Sequence, residues 1–405
     1  MRMDPQQFGF TLRKWRWHHL PAEIAEKLAT QAAAEELVCI KATESRAVYR
    51  FEDLYIKVCG SFRCKSILFP AAREEYNVYR KLQKHNIPAV EHLGWGRAGH
   101  YTALVTRAWS EDSSDALRYW FGMAYEIQQS EDFLNQLKDF LSVLVNSRLH
   151  HGDFHLGNIL YSPEKRSFAL VDLHNVRIGR PRNIREKAEM LQILAELRSS
   201  IRPQKMLELF HDTAEIPPTL AAEVIRKRLI RDMEHLQRHW PRRMNQFMTG
   251  YSKFSSFVNF DNNILLVKRD KLRRNIFDPA AARRGEYRTI RLGFSAALEQ
   301  MLFSFYLSML QVPHIPVAAL SPDGTLYYPK MPANAPLEED REWINSYNEY
   351  LLCMGLNLHD YHQWYRCSSN QLVLADFSTM LAAMPNRSMF RPQGINPRKW
   401  KVSKD

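Results

Sequence analysis

A polar cluster within residues 149–179 constrains this chain more than any other stretch. The segment reads LHHGDFHLGNILYSPEKRSFALVDLHNVRIG, with Asn158 five residues after Asp153 and Asp172 at the end of an apolar run. One carboxylate can accept the proton of an attacking hydroxyl, while an amide and a second carboxylate can hold Mg²⁺ over nucleotide phosphates. The pattern predicts ATP-dependent phosphoryl transfer.

The spacing between the two aspartates predicts a hairpin, with NILYS and SFALVD as strands and PEKR as the turn. The plainer alternative is a polar loop and an ordinary hairpin whose acids cap turns. The order HGDxxxxN followed by an aspartate after a hairpin favours the catalytic interpretation. We assign Asp153 as the base, and Asn158 and Asp172 as Mg²⁺ ligands.

The histidines of this segment receive no catalytic role from the sequence. His151 is expected to support the loop through hydrogen bonds. His155 and His174 can each bond a phosphate or satisfy a buried carbonyl, and the sequence does not choose between these roles.

Two further residues of a nucleotide-binding lobe lie upstream. Segments rich in Val, Ile and Tyr between residues 38 and 60 predict two or three strands, and Lys57 lies on the last of them. The helix predicted over 69–86 carries Glu75 on its apolar face. Because kinases fix a strand lysine with a helical glutamate, we assign Lys57 and Glu75 to nucleotide binding, and choose Glu75 over Glu74 for the ion pair.

One expected part is missing, because the turn between the first two strands contains no glycine. It reads KATESRAVY, so backbone amides, Ser45 or Arg46 would have to contact the phosphates. This argues against ordinary protein-kinase ancestry. Downstream, residues 102–109 are predicted to enter a hinge whose backbone meets adenine, and helical spacing over 130–149 leads to the catalytic loop.

Length and composition set the broad class. At 405 residues, the chain favours two or three domains. No stretch approaches the roughly 20 apolar residues that span a bilayer, and the N-terminal sequence lacks the apolar core of a secretory signal, so the cytoplasm is the expected compartment. The five cysteines lack CxxC spacing, which predicts reduced thiols rather than a disulfide frame or a zinc site.

The positive charge is concentrated in one region. The formal net charge is +12, and 17 basic against 6 acidic residues lie between Arg226 and Arg291. Such a field suggests a phosphorylated substrate, an acidic membrane surface or nucleic acid as partner. The alternative is a solvated basic helix face. Nucleic acid is not expected, because no recognised binding motif interleaves aromatic side chains with these basic residues.

The motifs also carry a family resemblance. HGDFHLGNIL together with VDLHNVRIG resembles the lipopolysaccharide core kinases, the heptose and Kdo kinases of the protein-kinase-like superfamily. Asp172-Leu173-His174 stands where Asp-Phe-Gly is usual, as in members of that family. RFEDLYIKV and AREEYNVYRKLQKHNIPAVEHLGWG are similar to its strand-lysine and helix-glutamate stretch. Aminoglycoside- and choline-type kinases share HGDxHxxN, so the superfamily is the safer assignment.

The resemblance covers residues from about 20 to 245. It implies the family's roles in nucleotide, metal and hydroxyl handling for five residues: Lys57, Glu75, Asp153, Asn158 and Asp172. It further implies ATP and Mg²⁺ as cofactors, and an anionic glycolipid of the lipopolysaccharide core, at the inner face of the membrane, as partner.

The remaining 160 residues look like a degenerate copy of the first part. FVNFDNNILLVKRD is similar to VYRFEDLYIKVCG, NIFDPAAARRGEYRTIRL to SILFPAAREEYNVYRKL, and the stretch around HDYHQWY to the catalytic segment. Asp360 and Asp376 match the two acids and Lys268 the lysine, whereas Tyr365 matches Asn158, which predicts an inactive copy. A structural role is one expectation. The other is docking of substrate or membrane through Lys268, Arg269, Lys271, Arg273 and Arg274.

The sequence therefore predicts an α+β, protein-kinase-like bilobal fold with a small β-rich N-lobe and a helical C-lobe. Residues 1–245 form the predicted active domain and 246–405 a degenerate kinase-like (pseudokinase) domain. The predicted activity is transfer of the γ-phosphoryl group of ATP to a sugar hydroxyl of the lipopolysaccharide inner core. A kinase of small-molecule or protein hydroxyls and a non-catalytic pseudokinase scaffold are the alternatives.

Overall fold

A computed structural model provides the structure of the chain. The described residues are 14–30, 37–42, 45–60, 70–123, 127–198, 200–250, 253–270, 274–330, 333–334, 340–353, 356, 364–367, 372–374, 380–381 and 387–391.

The chain divides into two compact units. The first contains residues 1–120 and 128–193, and the second contains residues 121–127 and 194–405. The described residues include both helices and antiparallel sheets, so the predicted mixture of a β-rich part and helices is present. The bilobal kinase-like arrangement stays a prediction.

A six-stranded antiparallel sheet forms the N-terminal part of the first unit, in the order β1-β5-β6-β4-β3-β2. Its strands are β1 (Arg16–His18), β2 (Val38–Ala42), β3 (Arg46–Phe51), β4 (Leu54–Gly60), β5 (His92–Ala98) and β6 (Tyr101–Arg107). Helix α1 (Ala22–Ala29) packs on this sheet through Ile24 and Leu28.

Strand β4 explains how the sheet presents a lysine. Its side chains alternate between the two faces of the sheet, as in any pleated strand. Leu54, Ile56 and Val58 are buried on one face, within the core that also contains α1. Lys57 is therefore directed to the opposite face.

Helix α2 (Ala71–Lys84) lies on that opposite face. Pro70 precedes its first residue, and the Pro70 carbonyl accepts the first hydrogen bond of the helix, from the Glu74 N–H at 3.1 Å. Ala72 and Tyr76 pack against Trp95 of β5 and Leu104 of β6 in one buried cluster. This packing fixes the rotation of the helix, and with it the direction of Glu75.

Short antiparallel elements carry the predicted catalytic segment. They are β7 (Ser114–Asp115), β8 (Leu149–His151), β9 (Ile159–Ser162), β10 (Ser167–Leu170) and β11 (Val176–Ile178). Strands β9 and β10 form the predicted hairpin, and β8 pairs with β11. Between β7 and β8 lie α3 (Ala116–Met123) and α4 (Ile127–Asn146), and α5 (Ile184–Leu191) follows β11.

Helix α4 has the helical spacing predicted over 130–149, and it buries one apolar face, whose core residues are Phe133, Leu137, Phe140, Leu141 and Leu144.

One parallel bridge ties the hairpin to the segment that follows α2. The Val90 N–H donates to the Leu170 carbonyl at 3.0 Å, and the Leu170 N–H donates to the Pro88 carbonyl at 3.1 Å. Asp172 follows two residues later. The bridge therefore sets the distance between the sheet and the second predicted acid.

The second unit contains four longer helices and several strands among its described residues. The helices are α6 (Pro203–Ala214), α7 (Pro218–Met248), α9 (Phe294–Met309) and α10 (Arg341–Cys353), with a short α8 (Pro279–Arg283). The strands are β12 (Ser255–Phe260), β13 (Asn263–Lys268), β14 (Tyr287–Arg291), β15 (Ala319–Leu320), β16 (Thr325–Pro329), β17 (Ala333–Asn334), β18 (Trp364–Cys367) and β19 (Leu372–Leu374).

The second unit repeats the parallel bridge of the first. The Ile315 N–H donates to the Leu374 carbonyl at 2.9 Å, and the Leu374 N–H donates to the Pro313 carbonyl at 3.0 Å. The C-terminal ends of the preceding helices also match. Asn86 after α2 and Gln311 after α9 both have positive φ, of 53° and 59°. The same connection from helix to hairpin thus occurs twice in the chain.

The sheet of the second unit differs from that of the first. Its order is β12-β13-β15-β16-β14, so β13 lies next to β15, the first strand of the β15–β16 pair. In the first unit, β4 lies next to β6, which is the second strand of the β5–β6 pair. Residues 275–292, matched by sequence to the α2 segment, form the short α8 and β14. The counterpart of α2 is α9.

The compact units divide near residue 193, whereas the sequence placed a boundary at 245. Helices α6 and α7 pack against each other and on α10, so they lie with the second unit. The functional division into an active and a degenerate kinase-like domain stays a prediction. Within the described residues, no helix is both long and apolar enough to cross a membrane.

Candidate active site

Lys57 and Glu75 form the predicted ion pair. Lys57 Nζ lies 3.0 Å from Glu75 Oε2. Glu75 is 4% exposed, whereas Glu74 points to solvent. The alternation of β4 and the packing of α2 bring the two side chains together, so Glu75 rather than Glu74 pairs with Lys57. Their role in nucleotide binding stays a prediction.

Lys57 also contacts the acid that follows the hairpin. Its Nζ lies 2.5 Å from Asp172 Oδ1, so two carboxylates share one ammonium group. Burial alone would lower the pKa of Lys57, but Glu75 and Asp172 raise it above its ordinary value. Burial likewise favours a higher pKa for Asp172, but Lys57 and His174 lower it to about 2. Both groups are charged at neutral pH.

Asp172 has an unusual backbone conformation. Its φ is 56° and its ψ is 60°, in the left-handed region that non-glycine residues seldom adopt. The next N–H, that of Leu173, donates to Glu75 Oε1 at 3.0 Å. Leu173 is fully buried. The conformation is thus held by the helix glutamate and by the core.

Asp153 and Asn158 lie on one short loop. Asn158 Nδ2 donates to the Asp153 backbone carbonyl at 2.9 Å, which fixes the amide, and Asn158 is buried. The Asp153 side chain is 59% exposed and can meet a substrate from solvent. The amide N–H of Val171 donates to the Asn158 carbonyl at 3.0 Å, which ties this loop to the segment of Asp172.

His151 supports the loop as expected. The Asp153 N–H donates to His151 Nδ1 at 3.2 Å, so the ring carries its proton on Nε2. Burial lowers the pKa of His151 to about 4, which keeps the ring neutral near pH 7. Its Nε2 is buried and has no hydrogen-bond partner among the described residues. This is a supporting group rather than an acid or a base.

The structure assigns contacts to the two histidines that the sequence left open. His155 Nε2 lies 3.9 Å from Asp153 Oδ2, beyond hydrogen-bond reach. His174 Nδ1 lies 2.9 Å from Asp172 Oδ1. The sequence signal for His174 was its position two residues after an assigned metal ligand, but the side-chain contact depends on the left-handed turn at Asp172.

The oxygen atoms needed by Mg²⁺ are present in the site. Asp172 Oδ2 and Asn158 Oδ1 accept no hydrogen bond from any residue that the structure describes, and both are the hard oxygen donors that Mg²⁺ prefers. Two protein ligands suffice when phosphates and water complete the shell. The residues therefore fit a Mg²⁺–nucleotide complex.

The structure describes only some of the segments that are predicted to surround the nucleotide. Thr43 and Glu44, in the glycine-free turn, lie outside the described residues, and the Ser45 carbonyl accepts the Gly60 N–H at 2.9 Å. Beyond β6, in the segment where the hinge is predicted, the Asp112 carboxylate accepts the Ser162 hydroxyl at 3.0 Å. This contact joins the predicted hinge segment to the β9–β10 hairpin.

The hairpin register of the second unit corrects the sequence match of Lys268. In β3–β4, Phe51 pairs with Leu54 across a two-residue turn, and in β12–β13, Phe260 pairs with Asn263 in the same way. Counting from the turn places Leu266, not Lys268, at the position of Lys57. Lys268 lies two residues further on the same face of its strand.

The other catalytic positions of the second unit also differ. Counting back from the positive-φ residues that follow the two helices, Asn86 and Gln311, places Gln300 at the position of Glu75. Gln300 Oε1 accepts the Tyr328 hydroxyl at 3.0 Å. The match of Tyr365 to Asn158 is wrong, because Tyr365 lies within β18 and pairs with Val373. Asn158 is the residue immediately before β9, and the residue immediately before β18 in the sequence is Gln363. Gln363, Asp360 and Asp376 lie outside the described residues.

Lys268 is unavailable for docking because it is buried. It is 2% exposed, and its Nζ donates to the Ser304 carbonyl at 3.2 Å and to the Ser308 hydroxyl. Burial without an acidic partner lowers its pKa to about 7. Of the other predicted docking residues, Arg274 pairs with Asp270, and Lys271 and Arg273 lie outside the described residues.

Comparison with known proteins gives distant structural similarity. No protein-family model and no curated protein sequence matches the chain. Among solved structures, it is similar to WaaP in complex with acyl carrier protein, at 14% sequence identity and a TM-score of 0.37, over 56% of this chain and 97% of that chain. It is also similar to a kinase domain, at 13% identity and a TM-score of 0.29, over 44% of this chain and 64% of that chain. Because both TM-scores are low, the inferences below rest on the geometry and the sequence of this chain.

Proposed function

We propose that this protein is an ATP-dependent phosphotransferase whose active site lies in the first unit. The observation that carries the proposal is that Lys57 contacts Glu75 at 3.0 Å and Asp172 at 2.5 Å at the same time. A strand lysine, a helix glutamate and a post-hairpin aspartate meeting at one point match what phosphoryl transfer needs for positioning phosphates and a metal.

The chain's own groups have separate roles in the proposed reaction. Asp153 orients the acceptor hydroxyl and takes its proton as the new bond to phosphorus forms. Lys57, oriented by Glu75, binds the nucleotide phosphates. Asn158 and Asp172 would hold Mg²⁺, which when bound neutralises charge on the phosphates.

The test compares phosphate transfer by the wild type with that by Asp153→Asn. The variant removes the proton acceptor but leaves the backbone carbonyl that Asn158 contacts. We expect a fall of about 10²–10⁴ in kcat with nucleotide affinity retained. Asp139→Asn, an exposed substitution on α4, is the matched control. A wild type that binds ATP but transfers nothing to any acceptor would favour the scaffold alternative.

For the acceptor, we propose a sugar hydroxyl of the lipopolysaccharide inner core, heptose or Kdo. The support is the resemblance of the HGDFHLGNIL and VDLHNVRIG segments to the core kinases. The assay supplies dephosphorylated core oligosaccharide, a soluble aminosugar and a protein hydroxyl in parallel. Transfer to the soluble acceptors alone would replace this substrate with the small-molecule or protein alternative.

We further propose that the chain meets this glycolipid at the inner face of the membrane, as a peripheral protein. Helix α7 supports this, because its exposed basic residues Lys227, Arg231, Arg238 and Arg242 recur at helical spacing on one face. They outnumber the two exposed acids on that face, Glu234 and Glu223, the partner of Lys227. Such a stripe attracts an anionic surface, with a contribution of about 1 kcal/mol for each basic residue near it.

Vesicle binding tests the membrane proposal. The wild type should bind vesicles rich in anionic lipid, and its affinity for them should fall steeply as salt is added. It should not bind neutral vesicles. Arg238→Glu with Arg242→Glu should abolish binding, whereas Lys205→Glu on α6 should not. Binding that a single-stranded RNA competes away completely, or that the double variant retains, would contradict the proposal.

The second unit is proposed not to bind nucleotide. Leu266 and Gln300 occupy the positions of Lys57 and Glu75, and Lys268 is already bonded to Ser304 and Ser308. We expect one nucleotide bound per chain by calorimetry, lost in Lys57→Met and kept in Lys268→Met. A stoichiometry of two would overturn this proposal and leave the first site intact.

A further inference from the structure

The carboxylate of Asp172 is held by two donors on the same oxygen. Lys57 Nζ lies 2.5 Å from Oδ1, and His174 Nδ1 lies 2.9 Å from the same atom. Oδ2 accepts no hydrogen bond from the part of the chain that the structure describes. If Lys57 turns toward nucleotide phosphates, His174 is the donor that remains on Oδ1.

The neighbouring amide fixes the tautomer of His174. Asn175 Nδ2 lies 2.8 Å from His174 Nε2. An amide nitrogen can donate but cannot accept, so Nε2 is the acceptor of the neutral ring. The ring proton is therefore on Nδ1, between the ring and Asp172. The histidine is set to donate to the carboxylate.

Asn175 is itself anchored to the loop of the proposed base. Its carbonyl accepts the Gly152 N–H at 2.9 Å. A Cβ at position 152 would lie 3.3 Å from the Asn175 Cβ, so the close approach suits glycine. The next residue, Val176, pairs with His151 in the β8–β11 ladder. A continuous set of contacts thus runs from the segment of Asp153 to Asp172.

The backbone at Asp172 adds a reason for such support. A non-glycine residue at φ 56° occupies a sparsely populated region, and surrounding contacts must stabilise it. Glu75 holds the backbone through the Leu173 N–H, and His174 holds the side chain. The two contacts constrain different parts of the same residue.

We infer that His174 is a positioning residue, whose Nδ1–H holds Asp172 Oδ1 and so presents Oδ2 as the oxygen that binds the divalent cation of a metal–nucleotide complex. The inference rests on the proposed function and deepens it. A hydrogen bond to a metal-binding carboxylate fixes its orientation, and loss of such a contact typically costs about 10-fold to 100-fold in metal affinity.

The test measures Mn²⁺ binding directly. Free Mn²⁺ is followed by electron paramagnetic resonance in the presence of a non-hydrolysable ATP analogue. Binding of the analogue without metal is measured separately by calorimetry. For His174→Phe we expect the Mn²⁺ dissociation constant to rise about 10-fold to 100-fold, while metal-free binding of the analogue stays unchanged. His150→Asn, at a histidine bonded to the Arg180 carbonyl, is the control.

Rescue by conservative variants separates positioning from packing. The amide nitrogen of His174→Asn can occupy the place of Nδ1, and we expect it to restore Mn²⁺ affinity to within about threefold, whereas the amide of His174→Gln matches Nε2 and should not. These two variants also decide the matter if His174→Phe does not fold. Equal Mn²⁺ affinity in the wild type and His174→Phe, or in Asn and Gln variants, would overturn the inference. A wild type that binds neither Mn²⁺ nor the analogue would instead overturn the proposed function.

Discussion

The buried carboxylate of Glu75 accepts the backbone N–H of Leu173 at 3.0 Å with the oxygen that does not contact Lys57. One side chain on α2 therefore orients both the lysine of β4 and the segment that carries Asp172. The helix, the sheet and the proposed catalytic segment of the first unit are joined at this carboxylate, so a change at Glu75 affects two residues of the candidate site at once.

Replacement of Glu75 should separate these two contacts. Glu75→Gln keeps an oxygen for the Leu173 N–H but loses the charge that holds Lys57, whereas Glu75→Ala loses both and leaves a buried N–H unpaired. We expect Glu75→Ala to lower the free energy of unfolding by about 1–3 kcal/mol more than Glu75→Gln does. Urea unfolding measures the difference, with Glu74→Ala as the exposed control. Equal stability of the Gln and Ala variants would show that the Leu173 contact contributes nothing.

Acid should remove a contribution of Asp172 to stability. Its pKa in the folded protein is about 2, below the ordinary 3.8, because of Lys57 and His174. A depressed carboxyl pKa stabilises the fold above the ordinary value, and this stabilisation is lost as the pH falls from about 4 to about 2. Asp172→Asn should therefore be less stable than the wild type at pH 6, with a gap that narrows toward pH 3.

The urea midpoints of both proteins from pH 6 to pH 3 test this expectation. Asp132→Asn, which changes an exposed carboxylate paired with Arg166, should show no such narrowing. A gap that is constant with pH would mean that Asp172 is not held by its charge.

Lys268 should give the second unit a pH dependence of the same sign, but in the neutral to alkaline range. Its folded pKa of about 7 lies below the ordinary 10.5, so between these values the unfolded chain carries a proton that the folded chain lacks. The free energy of unfolding then rises with pH, by at most about 1.4 kcal/mol per pH unit.

Lys268→Met should remove this slope between pH 7 and pH 10, and Lys205→Met should leave it in place. Urea unfolding across that range is the measurement. An unchanged slope in Lys268→Met would assign the pH dependence to another group.

Glu299 should hold the segment near residue 390 in place. Its buried carboxylate lies 2.5 Å from Arg387 Nε and 3.3 Å from Arg391 Nε. Glu299→Gln should cost about 1–3 kcal/mol, because two donors lose a charged acceptor. Hydrogen exchange of residues 387–391 should accelerate. The control is Glu286→Gln, at an exposed pair with Arg284, and faster exchange in both variants would contradict a specific role for Glu299.

Local patterns of the sequence were sufficient to predict the Lys57–Glu75 pair. Alternation in β4 and helical spacing in α2 fix the direction of each side chain, and both patterns are short-range. The hairpin before Asp172 was predictable for the same reason. The mixture of a β-rich part and helices followed from these elements taken together.

Hydrogen bonds of backbone groups to residues distant in the sequence were not predictable. The Leu173 N–H reaches Glu75, and Leu170 bridges to the segment after α2, through hydrogen bonds that carry no sequence signature. The mismatch of Lys268 has a related cause. A lysine two residues along a strand occupies the same face, so similarity of sequence cannot distinguish it from one in register.

The separation of Lys57 and Asp172 along the chain also affects biosynthesis. The two residues are 115 positions apart, which at 5–20 residues per second corresponds to about 6–23 s of translation. During this interval a nascent chain holds Lys57 and Glu75 without Asp172 or the Leu173 N–H. The candidate site of the first unit is therefore completed late in synthesis, and a ribosome that stalls before residue 172 leaves a chain that has Lys57 and Glu75 but lacks Asp172.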